Sequence, residues 1–151
     1  MHIAELSDTF LPIVDGVGRV AYQYANGLAK RGHECYAICP QTDTGYRGPL
    51  PFEIVDYISI SLANSPQYKT GMPMLDSHYY RRVGMIPFDI LHAHSPGIAG
   101  VEAIRLARKL KIPLVGTFHS KYHDDFYRIT GSESLASIGT HYVAEFYRAC
   151  D

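Results

Sequence analysis

Short apolar runs alternate with stretches whose apolar residues recur at helical spacing along almost the whole chain. That is the pattern of a parallel sheet covered by helices. Residues 3–6 predict a first strand, which leads through Ser7-Asp8-Thr9-Phe10-Leu11-Pro12 to Asp15-Gly16-Val17-Gly18. A helix follows, with Val17, Val20, Ala21, Tyr24 and Leu28 in register and Gly32 as its C′ residue. Residues 34–39 predict the second strand, and 52–60 contain the third, after a turn-rich stretch with Gly45, Gly48, Pro49 and Pro51. The polar segment 61–73, broken by Pro66 and Gly71, reads as a loop, and 76–83 as a short helix. Residues 88–93 predict the fourth strand and 113–118 the fifth. Between them, 96–111 form a helix with Ile98, Val101, Ile104, Ala107 and Leu110, capped by Ser95 after which Pro96 begins the turn. A last helix spans 133–149, with Leu135, Ile138, Tyr142, Phe146 and Ala149 on one face. Ser132 caps it, alone or within a capping box.

Composition fits this reading. The 151 residues are 46% hydrophobic and 19% charged, enough for one globular domain with its own core. Fourteen basic and fifteen acidic residues give a net charge of −1, which removes bulk attraction to nucleic acid as a driving force. The N-terminus lacks the basic and long apolar regions of a signal peptide. No apolar run approaches the ~20 residues of a spanning helix. Cys35, Cys39 and Cys150 are an odd number in a chain that needs no staples, so reduced thiols in a cytoplasmic setting are expected, Cys35 and Cys39 sharing one strand face. The pattern stops after a helix at Asp151, where the alternation calls for another strand, and a fragment of a longer protein is expected.

Three polar or glycine-bearing segments follow the first, fourth and fifth strands: Asp15–Gly18, His92-Ala93-His94-Ser95-Pro96 and Thr117-Phe118-His119-Ser120. In a doubly wound sheet of order 3-2-1-4-5 those strands are neighbours, and ligands bind beyond their C-terminal ends at the switch point. Three segments distant in sequence therefore converge. Gly16, Val17 and Gly18 open a helix whose free N–H groups suit a phosphate or diphosphate; a tight turn without ligand is the alternative. There is no Gly-x-Gly-x-x-Gly run, no acidic residue ending the second strand and no P-loop lysine. No Gly-x-Ser-x-Gly elbow is present either.

His92 and His94 alternate on the fourth strand, one expected to point into the sheet's packing and the other toward the opposite face or the strand end, with His92 read as an orienting group. His94 is open between structure and substrate contact. His-x-His and His119-x-x-x-His123 have ligand spacing, but no thiolate or carboxylate set completes a site, and no metal is expected. His119 is the leading catalytic candidate, able to donate to a substrate hydroxyl or carry a proton near pH 7. Asp15, Ser120, Lys121 and Tyr122 are further substrate-binding candidates. The run Lys121-Tyr122-His123-Asp124-Asp125-Phe126-Tyr127-Arg128 reads equally as an acceptor pocket of rings and charges or as a half-buried helix with a solvated face. Arg105, Arg108, Lys109 and Lys111 form a basic surface, read first as solvated helix charge and otherwise as a membrane-surface contact.

Taken together, Ser7–Pro12 with Asp15–Gly18, Gly27-Leu28-Ala29-Lys30-Arg31-Gly32-His33-Glu34, Asp89-Ile90-Leu91-His92-Ala93-His94-Ser95-Pro96 and Lys111-Ile112-Pro113-Leu114-Val115-Gly116-Thr117-Phe118-His119-Ser120 resemble the N-terminal domain of retaining glycosyltransferases of the GT-B architecture, family four. The resemblance implies an α/β, Rossmann-like doubly wound parallel sheet with helices on both faces, residues 1–151 being the acceptor-side domain of a two-domain enzyme. It implies a nucleotide-sugar donor as co-substrate with no separate cofactor, and a lipid or saccharide acceptor. Gly16–Gly18 would approach the donor diphosphate, and His119 the transferred sugar. The nucleotide pocket would lie in a second domain that this chain lacks. The usual Gly-Gly pair is replaced by Asp15-Gly16. The opening and the His119–Arg128 run look like the branch that glucosylates diacylglycerol, although mannosyl- and other transferases share much of them; the resemblance implies a cytoplasmic protein with peripheral contact to the inner membrane face. A non-catalytic α/β module that binds an anionic ligand or a protein partner is the competing class.

Overall fold

The computed structural model describes residues 1–12, 15–41, 48–62 and 65–151, with backbone alone at 62 and 65–68. Five parallel strands form the main sheet: β1 (His2–Leu6), β2 (Glu34–Pro40), β3 (Glu53–Tyr57), β6 (Ile90–Ala93) and β7 (Leu114–Gly116). Their order is β3-β2-β1-β6-β7, the expected doubly wound arrangement with its switch point between β1 and β6. Among the described residues five α-helices accompany them: α1 (Gly16–Lys30), α2 (Ser77–Met85), α3 (Ile98–Leu110), α4 (Tyr122–Thr130) and α5 (Glu133–Arg148).

The alternation of side chains along each strand divides the core in two. Ala4, Leu6, Ile38, Val55, Leu91 and Leu114 pack against α2, α3 and α5, together with Ala99, Ala103, Leu106 and Phe146. On the other face Ile3, Cys35, Ala37 and Cys39 meet Ala21 and Ala25 of α1 and the rings of Phe10 and Phe52. Small residues on α1 let that helix lie close to the sheet. The three cysteines are thiols rather than disulfides.

Most boundaries follow the sequence pattern, and the departures have physical causes. The segment 61–73 is not a loop: β5 (Ser65–Gly71) pairs antiparallel with β4 (Ser59–Leu62) as a separate two-stranded ribbon. Gly71 is there for close approach, since a Cβ would lie 2.0 Å from Tyr57 Cε2. Gly45 and residues 63–64 lie outside the described residues. The helix expected at 76–83 starts one residue later, because Asp76 is its cap and accepts from the His78 and Tyr79 amides. Gly32 takes a positive φ of 87° just past α1, as a C′ residue should. Ser132 caps α5, accepting from Leu135 N.

The expected buried face of α5 is displaced. Ala136, Val143 and Phe146 are buried, while Leu135, Ile138 and Tyr142 are at least half exposed. Close helix packing selects small residues there: a Cβ on Gly139 would lie 2.6 Å from the Phe126 ring of α4. The basic surface on α3 is also smaller than expected. Arg105 is bound to buried Glu102 through both Nε and Nη2, and its guanidinium lies 4.4 Å from the Tyr80 ring centroid.

Candidate active site

The loops that leave β1, β6 and β7 are tied to one another at the C-terminal edge of the sheet. Asp8, just beyond β1, accepts from Ser95 Oγ at 2.5 Å and from the Ala99 amide at 2.9 Å. His94, just beyond β6, reaches His119, beyond β7, with 3.1 Å between Nδ1 and Nε2. Two tyrosines of α5 hold the same loops from outside: Tyr142 OH donates to Pro96 O and Tyr147 OH to Thr117 O. The expected convergence is present.

The helices that leave the loops after β1 and β6 are capped differently. Ser95 does not cap α3. Gly97 holds the cap position, and the Asp8 carboxylate takes over the role from 91 residues away. A Cβ on Gly97 would sit 2.3 Å from Asp8 Oδ2, so a glycine is needed for that approach. At α1, Asp15 is the N-cap, and its Oδ1 accepts from Gly18 N at 2.7 Å and from Thr9 Oγ1 at 2.8 Å. The Gly18 amide thus donates to its own helix cap. Its lack of a side chain serves packing, because a Cβ would lie 2.9 Å from the Thr9 carbonyl oxygen. The Gly16 and Val17 amides are those the cap leaves aside. Gly16 is exposed, with nothing within 4 Å of a Cβ built on it.

Behind the loops runs a buried polar chain that the sequence pattern did not reveal. Glu5, on the α1 face of β1, stands directly opposite His92 of β6. Its Oε2 lies 2.8 Å from His92 Nδ1 and 2.7 Å from His94 Nε2. The two imidazoles do not take opposite faces: residues two apart on a strand point to the same side, and the rings lie 4.2 Å apart. His92 Nε2 lies 2.6 Å from Thr117 Oγ1. Tyr24 of α1 covers both rings at 4.9 and 5.5 Å. His94 is fully buried and meets the open edge only through His119, which is half-buried.

Charge follows this geometry. Burial works to raise the Glu5 pKa, but hydrogen bonds donated by His92 and His94 help to hold the carboxyl below its usual range. Burial depresses the His94 pKa despite its bond to Glu5. Burial, then the neighbouring His94 and His92, depress that of His119.

Glu5, His92 and His94 also make up a cluster of metal-ligating type, with donor atoms within 4.8 Å of one another. The carboxylate missing from the sequence reading is Glu5. Separations of 2.7 and 2.8 Å are those of proton-bearing hydrogen bonds, and the outer nitrogens are engaged as well. His123 is elsewhere, 3.1 Å from Glu133 on the surface.

Beside His119, a cleft of about 380 Å³ opens between α4 and α5, with Phe118, Lys121, Tyr122, Thr140 and Val143 in its walls. Lys121 and Tyr122 are therefore brought together, and Ser120 lies half-buried between them and His119. The α4 helix buries none of its residues fully, so the half-buried helix and the pocket wall are one object. Glu5, Asp8, Thr117, Tyr142 and Tyr147 are the contributors that sequence reasoning missed. A charged residue inside the apolar run of a central strand was the available signal for Glu5.

Residues 14–151 match the domain described as Glycosyltransferase Family 4. The chain belongs to glycosyltransferase family 4. Among curated relatives it is similar to an alpha-monoglucosyldiacylglycerol synthase of Acholeplasma laidlawii, 27% identical over 126 residues that make up 82% of this chain and 31% of the relative. A GDP-mannose-dependent alpha-mannosyltransferase of Mycolicibacterium smegmatis is 29% identical over 125 residues, 80% of this chain and 32% of the relative. A second alpha-monoglucosyldiacylglycerol synthase, from Streptococcus pneumoniae, is 27% identical over 124 residues, 82% of this chain and 28% of the relative. The chain spans about a third of the length of these family members. Among the described residues no helix is long and apolar enough to cross a membrane.

Proposed function

We propose that this family 4 chain is the acceptor-side domain of a two-domain GT-B enzyme. That enzyme would transfer a sugar, with retention, from a nucleotide-sugar donor to a lipid or saccharide acceptor, without a separate cofactor. The observation that carries the reading is the joining of the loops after β1, β6 and β7 at one sheet edge, Asp8 holding the Ala99 amide and His94 reaching His119, with α1 starting from the first of those loops. A departing nucleoside diphosphate develops negative charge, which the Gly16 and Val17 amides and the α1 dipole are placed to meet. His119 orients the sugar by hydrogen bonding, and His94 holds His119 from behind. The cleft walled by Lys121 and Tyr122 takes the acceptor. Exposed Phe118, Tyr127, Ile129, Leu135 and Ile138 around α4 and α5 favour a lipid acceptor met in the cytoplasm at the inner membrane face.

The complete protein carrying His119→Ala provides the test. Transfer from uridine- or guanosine-diphosphate sugars to diacylglycerol or monoglycosylated lipid should fall about 100-fold with the fold unchanged. Unaltered turnover would remove His119 from the reaction, and no transfer by the wild-type protein to any such acceptor would favour a module that only binds an anion.

A further inference from the structure

We infer that Glu5 fixes the tautomer of His119 through His94, so that His119 meets a ligand as a hydrogen-bond acceptor at Nδ1. The inference rests on the reading of His119 as a sugar-facing group, which it makes more specific. A carboxylate has no proton to give, so both short contacts at Glu5 Oε2 must be donated by the imidazoles. His92 therefore carries its proton on Nδ1, and its Nε2 accepts from the Thr117 hydroxyl 2.6 Å away. His94 carries its proton on Nε2. Its burial disfavours a second proton, so Nδ1 is left as a lone pair. The only polar group in reach of that lone pair, among the described residues, is His119 Nε2 at 3.1 Å, which must be the donor. One proton then remains to be placed on His119, and it is on Nε2. The Nδ1 atom is left with a lone pair and no bond to any described residue.

The groups packed around this chain of bonds agree. Tyr24 from α1 presents its ring to His92 and His94, and Thr117 occupies the far side of His92. No described lysine or arginine pairs with Glu5, and its Oε1 is buried without a partner, so the carboxylate is met through Oε2 alone. The consequence is chemical. An acceptor at Nδ1 takes a proton from a hydroxyl, such as one of a sugar, and repels a phosphate oxygen. It leaves the diphosphate to the α1 amides and selects the sugar for His119. A metal ion on Glu5, His92 and His94 would require the opposite, since both inner nitrogens would have to lose their protons.

Long-range nitrogen–proton NMR of the 151-residue chain with 15N-labelled histidine, at neutral pH, reads each ring directly. The expected pattern is His92 protonated at Nδ1, His94 and His119 at Nε2, with a correlation from the His119 ring proton to His94 Nδ1. Glu5→Leu should break that correlation and leave His119 as an exchanging mixture of tautomers. Glu5→Gln, whose amide oxygen still accepts from both rings, should restore the wild-type pattern, and Thr117→Val should leave His119 unaltered. If the leucine variant does not fold, His94→Phe carries the same expectation for His119. Protonation of wild-type His119 or His94 at Nδ1, an unchanged His119 in the leucine or phenylalanine variant, or a stoichiometric divalent ion in the purified chain would overturn the inference. Correct tautomers combined with no response of His119 to a donor sugar in the complete protein would instead overturn the proposed function.

Discussion

Asp8 and Ala99 are 91 residues apart in sequence, and the Asp8 carboxylate accepts the Ala99 amide proton at 2.9 Å. With Ser95 on its second oxygen, the same carboxylate closes the N-terminus of α3 and joins the loops after β1 and β6. A cap supplied from a distant strand couples helix stability to the placement of the site loops.

Asp8→Ala should therefore destabilise the chain by about 1–2 kcal/mol, as loss of a helix cap does. Asp8→Asn keeps an acceptor for the Ala99 amide and should lose less. Urea unfolding measures both. Equal midpoints for the alanine variant and wild type would show that α3 does not depend on this cap.

The two glycines that open α1 should behave differently. A Cβ at position 18 meets backbone, 2.9 Å from Thr9 O, and backbone cannot swing aside. Gly18→Ala should cost about 1–3 kcal/mol, in the range of overpacking. At position 16 the space is open. Gly16→Ala should leave the melting temperature unchanged while weakening any anion held on the α1 amides. A Gly18→Ala protein as stable as wild type would contradict the close contact.

The strand order and both faces of the sheet were legible in the sequence because a buried parallel strand must be apolar throughout and a helix must show its period. Those are one-body constraints. The Glu5–His94–His119 chain was not legible, because it depends on register between β1 and β6. Residues two apart on a strand share a face, so His92 and His94 lie on one side, and the register sets Glu5 opposite them. Residue 95 illustrates the same limit: local chemistry favoured Ser95 as the cap, but Asp8 competes from outside the window. The exposed Leu135 and Ile138 misled for another reason, since Gly139 and Ala136 form the packed stripe that their larger neighbours suggested.

Acid should destabilise the fold in two stages. His94 and His119 have folded pKa values below the ordinary 6.5, so under that pH the unfolded chain binds protons that the folded chain refuses. Stability from this source is complete above 6.5 and declines as the pH falls toward the folded values. Glu5 is depressed below 4.5, so its contribution is present above 4.5 and lost as the pH falls through its folded value. Urea midpoints measured between pH 8 and 3.5 should show both declines, and His94→Gln should diminish the upper one. A flat profile from pH 8 to 5 would remove the buried neutral imidazole.

The isolated chain should bind donor sugars poorly. Its two open first-turn amides, at Gly16 and Val17, offer donors and the positive end of a helix dipole, yet Asp15 caps the same turn and sets a carboxylate beside them. The dipole is equivalent to about half a charge, and a full negative charge in the first turn offsets much of it. Gly16 is exposed, so water screens what remains. His119, as an acceptor, adds nothing toward phosphate. What is left is one orienting hydrogen bond and two amide contacts, and dissociation constants of about 1 mM or weaker, near 4 kcal/mol, are the expected scale. Calorimetry of the 151-residue chain with uridine, guanosine and adenosine diphosphate sugars checks this. Micromolar binding would place the nucleotide site within these residues, and the Asp15 cap would then have to open to admit the diphosphate.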